Sequence, residues 1–144
     1  MRLHLPSFPH TQTTRDYTWC AYTQKVLKMA NMMSDRGHEV FVYSGEENEA
    51  RCTEHIVAVT NDEQEQWFGH LDWKTDLFPA NGWEPHNPWW KVMNDRVIKE
   101  MSSRVAPGDI IGIIMGRSQQ PIVNAYPELF ASEWGVGYEG VCLP

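Results

Sequence analysis

The residues able to do chemistry in this chain fall into three short stretches. The first is His10 to Tyr17 (HTQTTRDY), where one imidazole, the Gln12 amide and the hydroxyls of Thr11, Thr13, Thr14 and Tyr17 follow a short apolar opening. An unperturbed imidazole titrates near neutrality, so His10 is the candidate general base or acid. Hydroxyls and amides at the start of a helix can receive a phosphate or sugar oxygen. The competing reading is that Thr13, Thr14 and Asp16 cap the following helix and that His10 bonds to backbone. The second stretch, Gly116 to Gln120 (GRSQQ), places Gly116, Arg117 and Gln119 just after the most apolar run of the chain. The third, Glu133 to Glu139 (EWGVGYE), sets the Glu133 carboxylate at a strand end, where a charge needs a partner or a ligand. Gly135 and Gly137 allow close backbone approach there, and Tyr138 adds a phenol.

Familiar catalytic patterns are absent. The loop after the first strand has HTQTT where a dinucleotide fold carries G-x-G-x-x-G, so a tightly cradled pyrophosphate is not expected. There is no P-loop, no nucleophile elbow and no Cys-His pair at a telling spacing. The six histidines and three cysteines lack metal-ligand spacing, so no metal and no cofactor are expected. Cys20 reads as a packed core thiol, and Glu46, Glu47 and Glu49 read as a solvated turn.

These stretches need a scaffold, and the hydrophobic pattern supplies one. Residues 1–8 read as a strand, and residues 18–36 as a long helix with Asp16 or Thr18 as N-cap. Tyr22, Val26, Met29, Ala30 and Met33 lie on one helical face, with Gly37 as terminator. Strands are expected at 38–44 and 54–60. Asn61 or Asp62 caps a short helix over DEQEQWF, inside an excursion at about 61–87. Asn87-Pro88 starts a helix running to about residue 105. The run DIIGIIM at 109–115 reads as a central parallel strand. Gly116 to Ser118 reads as a turn, Gln119 to Tyr126 as a short helix, and 129–133 as a further strand. The expected architecture is a single α/β, Rossmann-like three-layer domain over 1–144 with a mostly parallel sheet, whose ligands bind where strand carboxyl ends converge. That rule selects the three stretches above.

Composition narrows the function classes. The chain has 144 residues, 12 Lys and Arg against 19 Asp and Glu, and a net charge of −7, a poor balance for sequence-independent nucleic-acid binding. No apolar run approaches bilayer length, and Met1 to Phe8 does not read as a secretory signal, so a cytoplasmic protein with reduced cysteines is expected. Five of the seven tryptophans (Trp67, Trp73, Trp83, Trp89, Trp90) crowd residues 67–90. They read mainly as anchors of the excursion, with stacking on a sugar or base as the alternative.

A family resemblance adds to this. His10, Thr11, Thr13, Thr14, the run Cys20 to Val26 (CAYTQKV), Met32-Met33 and Gly37 to Val40 resemble the N-terminus of bacterial and phage GT-B-fold glycosyltransferases, similar to the retaining family 4 group. Gly116 to Pro121 and the segment from Glu133 through Tyr138 to Gly140 are similar to later motifs of that family. The resemblance implies sugar transfer from a nucleotide-sugar donor to an acceptor, in a cleft between two Rossmann-like domains. In that family the N-terminal domain shapes the acceptor side and the C-terminal domain holds most of the donor nucleotide. Ending at Pro144, the chain is expected to hold one half of a GT-B fold, lacking the donor-binding domain. The alternatives are a sequestering module for a nucleotide or sugar, or an interaction protein that self-associates as a homo-oligomer through the face a missing domain leaves bare.

Overall fold

A computed structural model describes residues 1–72 and 76–133. Five strands, β1 (Arg2–Pro6), β2 (Glu39–Ser44), β3 (Glu54–Val57), β4 (Ile110–Ile113) and β5 (Phe130–Glu133), form one sheet in the order β3-β2-β1-β4-β5. Every pairing is parallel. The helices are α1 (Ala21–Asp35), α2 (Asn61–Phe68), α3 (Pro88–Ser102) and α4 (Gly116–Ala125), with a 3₁₀ turn at Ala80–Trp83. This is the Rossmann-like α/β domain that the hydrophobic pattern predicts.

Alternation along the strands divides the core in two. Val40 and Val42 join Leu3, Leu5, Val26, Leu27 and Ala30 beneath α1. Their neighbours Phe41 and Tyr43 join Ile111, Ile113, Met93, Val97 and Ile122 beneath α3 and α4. A sheet covered on both faces needs apolar side chains on both, which is why these strands read as continuous runs.

Several boundaries differ from the sequence expectation, and each difference has a local cause. Helix α1 starts at Ala21 with Cys20 as N-cap, and no side chain caps it, so neither Asp16 nor Thr18 serves. Helix α2 is capped by Thr60 rather than Asn61 or Asp62: its side chain accepts from the Glu63 N–H, while Glu63 accepts from the Thr60 N–H. This reciprocal box satisfies two otherwise orphaned donors. The Gly116-Arg117-Ser118 segment is the first turn of α4 rather than a separate turn. Gly37 and Gly108 both take positive φ (85° and 87°), where a side chain would be strained; Gly37 ends α1 as expected, and Gly108 lies in the loop between α3 and β4. β1 departs from simple alternation: His4 is as buried as Leu3 and Leu5. Its Nε2 lies 2.8 Å from Asp109 Oδ2 and its Nδ1 2.8 Å from the Tyr43 hydroxyl, so the polar side chain is satisfied inside the core.

Candidate functional site

In a 3-2-1-4-5 sheet the strand order reverses between β1 and β4, and the crevice over their carboxyl ends is the usual ligand position. Here that crevice is filled. Phe8 meets Trp83 and Trp90 edge-on at 6.1 and 6.0 Å between ring centroids. His10 stacks on Phe78 at 4.0 Å and meets Trp83 edge-on at 5.3 Å. The indole N–H groups of Trp89 and Trp90 both donate to the Gly82 carbonyl at 2.8 Å, fixing the 3₁₀ turn as a strap over the crevice. A Cβ on Gly82 would lie 2.7 Å from the Phe78 ring, so only glycine lets the strap close this far.

Gln119 sits under the same crevice, fully buried. Its Oε1 accepts from the N–H groups of Ile114 and Met115 at 3.1 and 3.0 Å, and its Nε2 donates to the carbonyls of Pro6 and Ser7 at 3.1 and 3.3 Å. It joins the ends of β1 and β4 and has no donor left for a ligand, contrary to the sequence expectation.

Among the described residues a cleft lies to one side, over β2 and β3. It has a volume of about 320 Å³ and is lined by Gln12, Tyr17, Glu47, Asn61, Gln64, Glu65, Phe68, Gly69 and Leu71. Its floor is built from two loops at the carboxyl edge. The Thr13 N–H donates to the Glu47 carbonyl and its carbonyl accepts from the Glu49 N–H, pairing the β1–α1 loop with the β2–β3 loop. Gln12 and Gln64 extend the join. Gln12 Nε2 donates to Asn61 Oδ1 (2.8 Å) and Gln64 Oε1 (2.6 Å), and its Oε1 accepts from the Glu47 N–H (2.9 Å). Gln64 Nε2 donates in turn to the carbonyls of Pro9 and Thr11, both at 3.0 Å. Gly45 permits this approach, since a Cβ there would lie 2.5 Å from Gln12 Oε1. Tyr17 stands half-buried on the rim, its phenol pushed above its ordinary pKa by burial, then by Glu47 and Asp16.

The predicted residues therefore separate. Gln12 and Tyr17 line the cleft. Thr13 is buried, its hydroxyl donating to Ser7 Oγ at 3.1 Å, and Thr11 Oγ1 lies 2.5 Å from Thr23 Oγ1. The Thr14 carbonyl accepts from Gln24 Nε2 at 2.9 Å. Neither Thr13 nor Thr14 caps α1, because that helix begins well beyond both of them, at Ala21. His10 is 2 % exposed, and burial lowers its pKa to about 3. The ring is neutral at mildly acidic pH, so it does not serve there as the general acid that its residue type suggests. Arg117 pairs with Glu84 at 2.8 Å, and Glu133 Oε1 accepts from the Gly116 N–H at 3.0 Å, supplying the partner that its charge needs. Gly135, Gly137 and Tyr138 lie outside the described residues.

Sequence reasoning missed Glu47, Asn61, Gln64, Glu65 and Phe68. A signal was present: residues 45–50 follow a buried strand, so they too stand at a carboxyl edge. No family model, curated protein or solved structure matches this chain.

Proposed function

We propose that the cleft over β2 and β3 binds a carbohydrate and that this domain supplies the acceptor side of a glycosyltransferase using a nucleotide-sugar donor. The observation carrying this reading is the chemistry of the lining. Amides from Gln12, Asn61 and Gln64, carboxylates from Glu47 and Glu65, and the Tyr17 phenol and Phe68 ring surround one space. Sugars present rings of hydroxyls above flat C–H faces, and polar groups set on an aromatic wall meet both. The resemblance of the HTQTT loop and the CAYTQKV helix to family 4 glycosyltransferases favours the same class.

On this reading the chain binds and orients the acceptor. A carboxylate of Glu47 or Glu65 accepts a hydrogen bond from the acceptor hydroxyl, raising its nucleophilicity toward the anomeric carbon. As the new bond forms, the hydroxyl proton passes to that carboxylate and the nucleoside diphosphate departs, held in the family on its second Rossmann-like domain. His10 is assigned no proton transfer, since it is buried and neutral. Gln12 and Gln64 keep the two walls at a fixed separation.

Titration with a panel of neutral mono- and disaccharides, read by amide chemical shifts, tests the reading. Saturable shifts are expected at Gln12, Asn61, Gln64 and Gly69, with Glu65→Ala weakening binding about tenfold, the worth of one hydrogen bond to a charged group. No shift with any saccharide would end the carbohydrate reading. Binding without turnover of a nucleotide-sugar, even with a donor-binding domain supplied, would leave the sequestering module instead. The self-association expected from the sequence has its own test: light scattering that gives a dimer mass would bear it out, and a monomer mass at high concentration would count against it.

A further inference from the structure

The carboxyl edge of a parallel sheet ordinarily attracts anions, because helix N-termini with free amides converge there. In this chain, carboxylates from elsewhere in the sequence already stand at two of those ends. Glu46 Oε2, on the loop after β2, accepts from the Asn61 N–H at 2.5 Å, at the first residue of α2. Glu133 does the same at the first residue of α4, so closely that a Cβ on Gly116 would lie 2.5 Å from its Oε1. Neither residue belongs to the helix it serves, so both are long-range contacts.

The arginines of this edge also face carboxylates, closely at Arg96 and Arg117 and loosely at the exposed Arg15. Arg96 pairs with Glu63 at 2.5 Å, Arg117 with Glu84 at 2.8 Å and Arg15 with Glu49 at 4.0 Å. None of the residues lining the cleft is basic, while Glu47 and Glu65 are both acidic and exposed. A phosphate entering the cleft would meet two carboxylates, a third on the α2 N-terminus that would otherwise attract it, and no free guanidinium among these three.

We infer that Glu46 and Glu47 are specificity-determining residues: the cleft accepts an uncharged, hydroxyl-rich ligand and excludes its phosphorylated counterpart. This rests on the reading of that cleft as a carbohydrate site. It goes further by assigning rejection of phosphate to side chains that would otherwise read only as a helix cap and a solvated turn. Discrimination of this kind comes from like charge placed against the wrong ligand rather than from added contacts to the right one.

The experiment uses inorganic pyrophosphate as the probe, read by the amide shifts of Asn61, Asp62 and Gln64 in the 144-residue chain and in Glu46→Gln/Glu47→Gln. Glutamine at position 46 keeps an acceptor for the Asn61 N–H, and Glu47 uses only its backbone in the loop pairing, so the fold is expected to persist; unchanged shifts over α1 and α3 check this. The wild-type protein is expected to show no saturable shift, and the variant to bind pyrophosphate at least about tenfold more tightly, two like charges having been removed. Saturable binding of pyrophosphate to the wild-type cleft, or a variant no better than wild type, would overturn the inference. Should the variant unfold, Glu47→Gln alone, whose side chain takes no part in the loop pairing, is read against the same criterion. The neutral saccharide panel is run in parallel: its failure defeats the carbohydrate reading, whereas a positive panel with pyrophosphate also bound defeats only the exclusion.

Discussion

The amide of Gln119 shows how a residue can look like a ligand contact and be a fastener. It bonds two N–H groups and two carbonyls, the Met115 N–H part-buried and the rest buried, and its removal takes this partner from each. Leaving a buried backbone group unsatisfied costs about 1–3 kcal/mol, so Gln119→Leu is expected to lower unfolding free energy by roughly 3 kcal/mol or more. Urea denaturation measures this, and a loss below about 1 kcal/mol would contradict the assigned bonds. The threonines follow the same logic. Thr13→Val removes the bond to Ser7 Oγ, and with Thr14→Val the pair is expected to cost about 1 kcal/mol without a direct effect on ligand affinity. A double variant that keeps its stability but loses saccharide binding would return these hydroxyls to the site.

At the scale of elements, α2 is the piece on which the cleft depends. Asn61, Gln64, Glu65 and Phe68 all come from its eight residues. A helix so short is marginal without caps, so the Thr60–Glu63 box carries much of its persistence. Thr60→Ala is expected to cost about 1 kcal/mol of stability. It should also weaken saccharide binding, since fraying the first turn loosens the Asn61 bond to Gln12. Amide hydrogen exchange across Asn61 to Glu65 would report this as faster opening, and unchanged exchange would count against the box. Strand positions were legible because two-sided burial leaves continuous apolar runs such as DIIGIIM. The helix starts were not: α1 has no side-chain cap, and Thr60 stands one residue before the better-known capping type, Asn61. The cleft was half legible. Gln12 and Tyr17 stand on a loop that topology alone selects, but their opposing wall comes from residues some fifty positions away, joined through a Gln12–Gln64 contact that no local pattern encodes. Likewise the aromatic strap reads as packing, yet that it closes the switch-point crevice depends on Gly82 accepting two indoles at once.

For the whole molecule, two histidines held neutral in the interior make stability depend on pH. Burial lowers the pKa of His10 from 6.5 to about 3, and burial also lowers that of His4 despite its contact with Asp109. A base whose folded pKa lies below its unfolded value contributes stability that is fully present above the unfolded pKa. That contribution is lost as pH falls, because protonation favours the unfolded chain. For His10 the window runs from 6.5 down toward 3, and about 2 kcal/mol is expected to go by pH 5. Carboxylates add their own loss only lower: Glu63, whose pKa is brought down to about 2 chiefly by its bond to Arg96, acts below its ordinary value of 4.5. The net charge of −7 works the other way, since its decline on acidification relieves self-repulsion. The two effects are separable by a difference measurement. Unfolding free energies of wild type and His10→Phe, each taken at pH 7 and pH 5, share the charge effect and differ in the buried imidazole. The variant is expected to lose about 2 kcal/mol less than wild type over that interval. Equal losses in the two proteins would mean that the ring between Phe78 and Trp83 takes up its proton in place, and that the crevice admits water.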